Sequence, residues 1–195
     1  MAVEPKAVGQ FIDHDELIDY LPHKGKMFLL SRVTQHDVNL HTITSEYDIT
    51  KNCIFYEEEF GGVPTWAGFE LMAQGISALT GITNKIKGRE PLPGMILSVV
   101  DFKASVGFLK DGTTVQMKIA EDFRDEETYT YRYLCELYAA PGDKEPAATA
   151  KITVMETEDM KGMFSKYTGK IPVFPVIVRD FLLTLTFTFI AFKMN

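Results

Sequence analysis

Cysteine, histidine and clustered positive charge are all scarce in this chain, and each shortage narrows what it can do. Two cysteines, Cys53 and Cys135, cannot make a disulfide framework, so both are expected to be reduced and buried. The four histidines (His14, His23, His36, His41) show no metal-ligand spacing, with or without the cysteines, and neither a metal nor another cofactor is expected. There is no basic run and no glycine-rich phosphate loop, and the net charge is −7. Nonspecific binding to nucleic acid or to an anionic membrane is therefore disfavoured. The first residues carry no apolar signal core, so a cytoplasmic protein is expected. Long apolar runs are missing too. The stretch 181–192 has no charge but only 12 residues, against the about 20 that a membrane-spanning helix needs. Within it Thr184, Thr186 and Thr188 alternate with Leu185, Phe187 and Phe189, a strand pattern. Such a tail could add an edge strand, cover a neighbouring subunit or touch a membrane peripherally.

Between Phe60 and Lys85 the only charged side chain is Glu70. A turn signal (Gly61, Gly62, Pro64) is followed by Thr65 as a candidate N-cap, a helical body over about 65–80 and a stop at Gly81. Trp66, Phe69, Leu71, Met72, Ile76 and Leu79 surround this helix with apolar side chains, which predicts a buried helix. Glu70, Gln74 and Ser77 lie at i, i+4 and i+7 and form its one polar stripe. A lone carboxylate there is either a structural ion-pair partner or a working acid/base, and spacing leaves both open.

Around that helix the pattern is mostly strand. Asp13–Tyr20 reads as a short helix ended by Leu21-Pro22. Residues 27–34 and 38–49 read as two strands joined at Gln35-His36-Asp37, and the acidic Glu57-Glu58-Glu59 lies in a surface loop. After the helix, residues 95–108, 114–123, 129–138 and 147–156 read as strands, the first bent at Lys103. Hairpin-length connections imply an antiparallel sheet. The expected class is α+β, a sheet wrapped around one central helix, with a second copy covering what one small sheet leaves open. One domain is expected over 1–160 and a hydrophobic tail over 161–195.

Two motifs carry a family resemblance. Leu21-Pro22-His23-Lys24-Gly25-Lys26-Met27-Phe28-Leu29-Leu30-Ser31-Arg32-Val33 resembles the opening motif of the 3-hydroxyacyl-[acyl-carrier-protein] dehydratases, and Glu70-Leu71-Met72-Ala73-Gln74 resembles their central-helix signature. Asp101-Phe102-Lys103 and Lys110-Asp111-Gly112 look like the strand and turn that follow. Val63-Pro64-Thr65-Trp66 is similar to the divergent branch associated with aryl polyene-type lipids. The resemblance covers roughly 11–156 and implies the hot-dog fold. It implies a dimer, homomeric or with a related hot-dog subunit, and an acyl carrier protein that presents the substrate. It also implies removal of water from a 3-hydroxyacyl thioester to give a trans-2-enoyl thioester.

That chemistry needs a base for the C2 proton, an acid for the departing C3 hydroxyl and donors for the thioester oxygen. The resemblance implies that Glu70 and a histidine move the protons, the two coming from different subunits. Amides at the helix start, here Thr65 and Trp66, would hold the oxygen. Gln74 is expected among the substrate-binding residues, where it could orient Glu70 or bind its second carboxylate oxygen, or it is a buried polar residue satisfied by backbone. The family's usual loop histidine would fall, without gaps, at Tyr56, and no histidine occurs between His41 and Glu70. His23 is then the candidate, and the other histidines read as surface residues. Two other readings follow from the same residues: an acyl-thioesterase of the same fold, and a non-catalytic acyl-binding subunit paired with an active relative.

Overall fold

The computed structural model describes residues 7–159 and Gly162, so apart from Gly162 the tail expected over 161–195 lies outside the described residues. A two-residue strand, β1 (Ile12–Asp13), runs into a short helix, α1 (His14–Leu17), capped by the Asp13 carboxylate, which accepts the Glu16 N–H at 3.0 Å. A 3-10 turn at Gly25–Met27 leads to β2 (Arg32–Asp37) and β3 (Thr42–Asp48). Then come β4 (Gly62–Pro64), a 3-10 segment Thr65–Ala67 and the long α2 (Gly68–Lys87). The rest is strand: β5 (Gly94–Ala104), β6 (Phe108–Lys110), β7 (Thr114–Asp125), β8 (Thr130–Tyr138) and β9 (Ala148–Glu156).

Seven strands form one antiparallel sheet in the order β1-β2-β3-β7-β8-β9-β5, and β4 pairs with β6 apart from it. The sheet folds around α2, the hot-dog arrangement. Leu71, Met72, Leu79 and Ile82 of α2 are fully buried with Met117, Leu137 and Ile152 of the sheet. Each such side chain contributes about 1.5–3 kcal/mol by leaving water. Both cysteines are free and buried in this core. β5, the strand after α2, ends the order, so one of its edges has no partner strand among the described residues, and Leu97 and Val100 on it are exposed.

Several boundaries differ from the sequence reading, each for a physical reason. The β2–β3 turn falls at 38–41, later than expected, because the Asp37 carboxylate accepts the N–H groups of Asn39 and Leu40 at 2.8 and 2.9 Å. Residues 27–30 are tied to α2, where Gln74 bonds Met27 and Leu29, so the strand begins only at Arg32. The helix starts three residues after Thr65, which makes no capping bond. It runs through Gly81 and stops at Gly88, whose φ of 62° is the left-handed turn that suits glycine. Gly81 is there for contact: a β-carbon on it would lie 2.1 Å from the carbonyl oxygen of Tyr20, just beyond α1. Its missing side chain admits the backbone at Tyr20 and does not end the helix.

Candidate active site

Glu70 sits in the first turn of α2, 2% exposed. Burial among apolar neighbours penalises its charge and pushes its pKa up to about 7, while a hydrogen bond from Gln74 pulls in the other direction. His23 lies in the loop between α1 and the 3-10 turn. Burial, helped by the neighbouring Lys24 charge, pushes its pKa down to about 4. His23 Nε2 stands 3.7 Å from Glu70 Oε1, both in the same chain. Each environment favours the neutral form, so the contact is between two neutral titratable groups and is not an ion pair. The other ring nitrogen, Nδ1, is buried with no hydrogen-bond partner.

Gln74, one turn along the helix, is fully committed to protein partners. Its Nε2 donates to Glu70 Oε1 at 2.9 Å and to the Met27 carbonyl at 2.7 Å, and its Oε1 accepts the Leu29 N–H at 3.0 Å. The expected role beside the substrate finds no free donor here. Ser77, third in the expected polar stripe, is half-buried and makes no hydrogen bond to either.

The helix start is more constrained than the sequence suggested. The Thr65 N–H is spent on the Gly107 carbonyl at 3.0 Å, while its hydroxyl is buried without a partner. Trp66 was placed on the buried helix body. It belongs instead to the 3-10 segment before it, is 53% exposed, and meets Phe55 edge-on at 5.8 Å. No backbone partner for the Trp66 N–H is found among the described residues.

The remaining histidines are elsewhere. His14 stacks on Phe28 and bonds the Leu30 carbonyl, and His41 pairs through Nδ1 with Arg124. His36, expected at the surface, is 5% exposed, because the N-terminal segment folds over it and the Gly9 carbonyl takes its Nε2. Sequence reasoning missed Gly107, Met27 and Leu29 as partners of the site, since their part is played by backbone atoms that leave no trace in side-chain pattern.

The family model described as ApeP-like, ApeP dehydratase, matches residues 16–165. The 3-hydroxyacyl-[acyl-carrier-protein] dehydratase FabZ of Protochlamydia amoebophila (strain UWE25) is 27% identical over 133 residues, 58% of this chain and 86% of that protein. FabZ of Chlamydia pneumoniae is 31% identical over 70 residues, 34% of this chain, and the match spans 46% of the relative's length. Among solved structures, the dehydratase heterocomplex ApeI:P from Xenorhabdus doucetiae shares the fold, with a TM-score of 0.67 at 19% identity. That match covers 77% of this chain and 97% of the other.

Proposed function

The chain belongs to the ApeP-like dehydratase family, and from that premise we propose that it removes water from a 3-hydroxyacyl thioester carried by an acyl carrier protein. The product is a trans-2-enoyl thioester, and His23 and Glu70 act as the proton-transfer pair. The observation that carries this is the meeting of His23 and Glu70 at 3.7 Å, each held toward neutrality by burial. Near pH 6 the histidine is an unprotonated base and the glutamic acid still holds its proton, the starting state that dehydration needs.

In this reading His23 takes the C2 proton. The C–H electron pair becomes the C2=C3 bond as the C3–O bond breaks, and Glu70 delivers its proton to the leaving oxygen, which departs as water. The proton on His23 then returns to Glu70 through that water. Charge that builds on the thioester oxygen is held at the start of α2 by the Trp66 N–H and the Thr65 hydroxyl, the two donors left without partners there. The Thr65 amide has no part, being bonded to Gly107.

The working unit is proposed to be a pair of hot-dog subunits joined at the open edge of β5. The named heterocomplex of a family relative supports a related, non-identical subunit as the partner. A second reading keeps one observation on its side: no histidine stands in the loop before α2, as it would in a subunit that binds acyl chains while its partner does the chemistry. One assay separates the readings. Water loss from a panel of 3-hydroxyacyl-carrier-protein substrates is followed by absorbance and mass, with thioester cleavage in parallel, for the chain alone and with a related subunit. Dehydration that disappears with Glu70→Gln in this chain supports the proposal. Dehydration by the pair that survives that substitution assigns the chemistry to the partner, and thioester cleavage without dehydration assigns a thioesterase.

A further inference from the structure

Three short hydrogen bonds meet on one buried amide, and together they join the two halves of the site. Glu70 is on α2, whereas His23 is on the loop that enters the sheet. From Gly25 to Leu30 that loop makes no ladder pairing, its first bond to the sheet being the Ser31 N–H to the Glu46 carbonyl at 2.9 Å, and Gln74 bonds it to the helix at two points, the Met27 carbonyl and the Leu29 N–H. The same amide donates to Glu70 Oε1. Its orientation is unambiguous, because the Leu29 N–H can only face an oxygen and the Met27 carbonyl can only face the NH2 group.

We infer that Gln74 is the positioning residue of this site: it sets the separation of His23 from Glu70 and fixes which carboxyl oxygen carries the acidic proton. This rests on the dehydratase reading for its catalytic consequence. A permanent donor on Oε1 makes that oxygen the carbonyl-like one, so the proton of the neutral acid resides on Oε2. Oε2 makes no hydrogen bond among the described residues and is the oxygen left to face a substrate hydroxyl. Without Gln74 the carboxyl group can rotate and present either oxygen, and the loop can drift from the helix. A misplacement of about 1 Å at such a pair costs roughly a hundredfold in rate.

Among the described residues His23 is the one titratable group within ion-pair reach of Glu70, with Lys24 beyond it on the same loop. Loss of the Gln74 donor therefore has a readable electrostatic sign. The bond favours the ionised carboxylate, so its removal makes Glu70 a weaker acid, by about tenfold in its dissociation constant.

The test uses Gln74→Met, which keeps the length of the side chain and removes every polar contact, and Gln74→Glu, which keeps the acceptor for Leu29 but loses both donors. Infrared difference titration of the carboxyl stretch follows Glu70 in ligand-free protein, with Glu70→Gln to assign the band. Steady-state dehydration follows kcat and KM for folded protein. The expectation is that Glu70 titrates at higher pH in both variants, with kcat down about a hundredfold and KM within about threefold. An unmoved Glu70 titration, or a loss of rate that only tracks loss of folded protein, overturns the inference and leaves Gln74 a packing residue. If the wild-type chain dehydrates nothing while the titration still moves, the carboxyl clamp stands and the dehydratase reading falls. Should Gln74→Met not fold, Gln74→Glu carries the same two readouts.

Discussion

Replacing Glu70 by glutamine separates a working acid from a structural one, because the two roles predict opposite changes in stability. In the folded protein burial raises the Glu70 pKa from its ordinary 4.5 to about 7, which penalises ionisation by about 3 kcal/mol. Linkage fixes the sign: the Glu70 contribution to stability is fully present below pH 4.5 and is lost as pH rises through 7. His23 runs the other way, since its pKa falls from 6.5 to about 4. Its contribution is present above pH 6.5 and is lost as pH falls through 4. Between pH 4.5 and 6.5 the two slopes offset each other. Glu70→Gln keeps the shape and the oxygen to which Gln74 donates, but removes the group that resists ionisation. At pH 8 the variant is expected to be more stable than the wild type. The upper bound of about 3 kcal/mol corresponds to roughly 6–12 °C in Tm, and local relaxation of the carboxylate should leave roughly half of it. At pH 5 the difference should shrink to under about 1 kcal/mol, and the variant's Tm should rise with pH through the His23 range. Dehydration should be lost at every pH. Thermal melts at pH 5 and pH 8, together with the carrier-protein dehydration assay, check this. A variant that is less stable at pH 8 and still active would show that Glu70 is a structural ion-pair partner, and the argument from burial would be wrong.

The pH profile of kcat/KM should be bell-shaped, rising through about pH 4 as His23 loses its proton and falling through about pH 7 as Glu70 loses its own; a profile flat from pH 5 to 8 would refute the pairing. His23→Asn, which keeps a polar side chain but offers no base, should lower kcat by roughly 10²–10⁴-fold with little change in Tm, measured by the same assay and by thermal melting. Gly81→Ala should destabilise by roughly 2–3 kcal/mol, since the added carbon meets the Tyr20 carbonyl at 2.1 Å and this outweighs the about 1 kcal/mol that alanine gains in helix propensity; a denaturant melt no worse than the wild type would show that the segment at Tyr20 moves freely. Val100→Lys, on the open edge of β5, should block association with another hot-dog subunit, seen by light scattering; an unaffected dimer would place the interface elsewhere.

Much of the fold was legible because its signals are local. Apolar residues surrounding one helix, alternation in the strands and turn residues at Lys110-Asp111-Gly112 each act within a few positions, so the layered antiparallel fold around one helix could be read from the chain. Glu70 stood out for the same reason, as the one charge in a long apolar stretch. The boundaries were misread where a distant partner overrode local preference. Gly81 looks like a stop until the Tyr20 backbone is seen against it, and residues 27–30 look like strand until Gln74 is seen to bond Met27 and Leu29.

The sequence by itself determined the family motifs, the buried helix and its lone acid, because hydrophobic period and residue type are properties of neighbours along the chain. Only the tertiary structure decided which histidine meets that acid, that both belong to one chain, and which of the helix-start donors remain free. Those facts depend on distances between segments more than 40 residues apart, and on how much water each group loses when they come together. Burial then sets the protonation of both groups, on which the proposed roles of His23 and Glu70 rest.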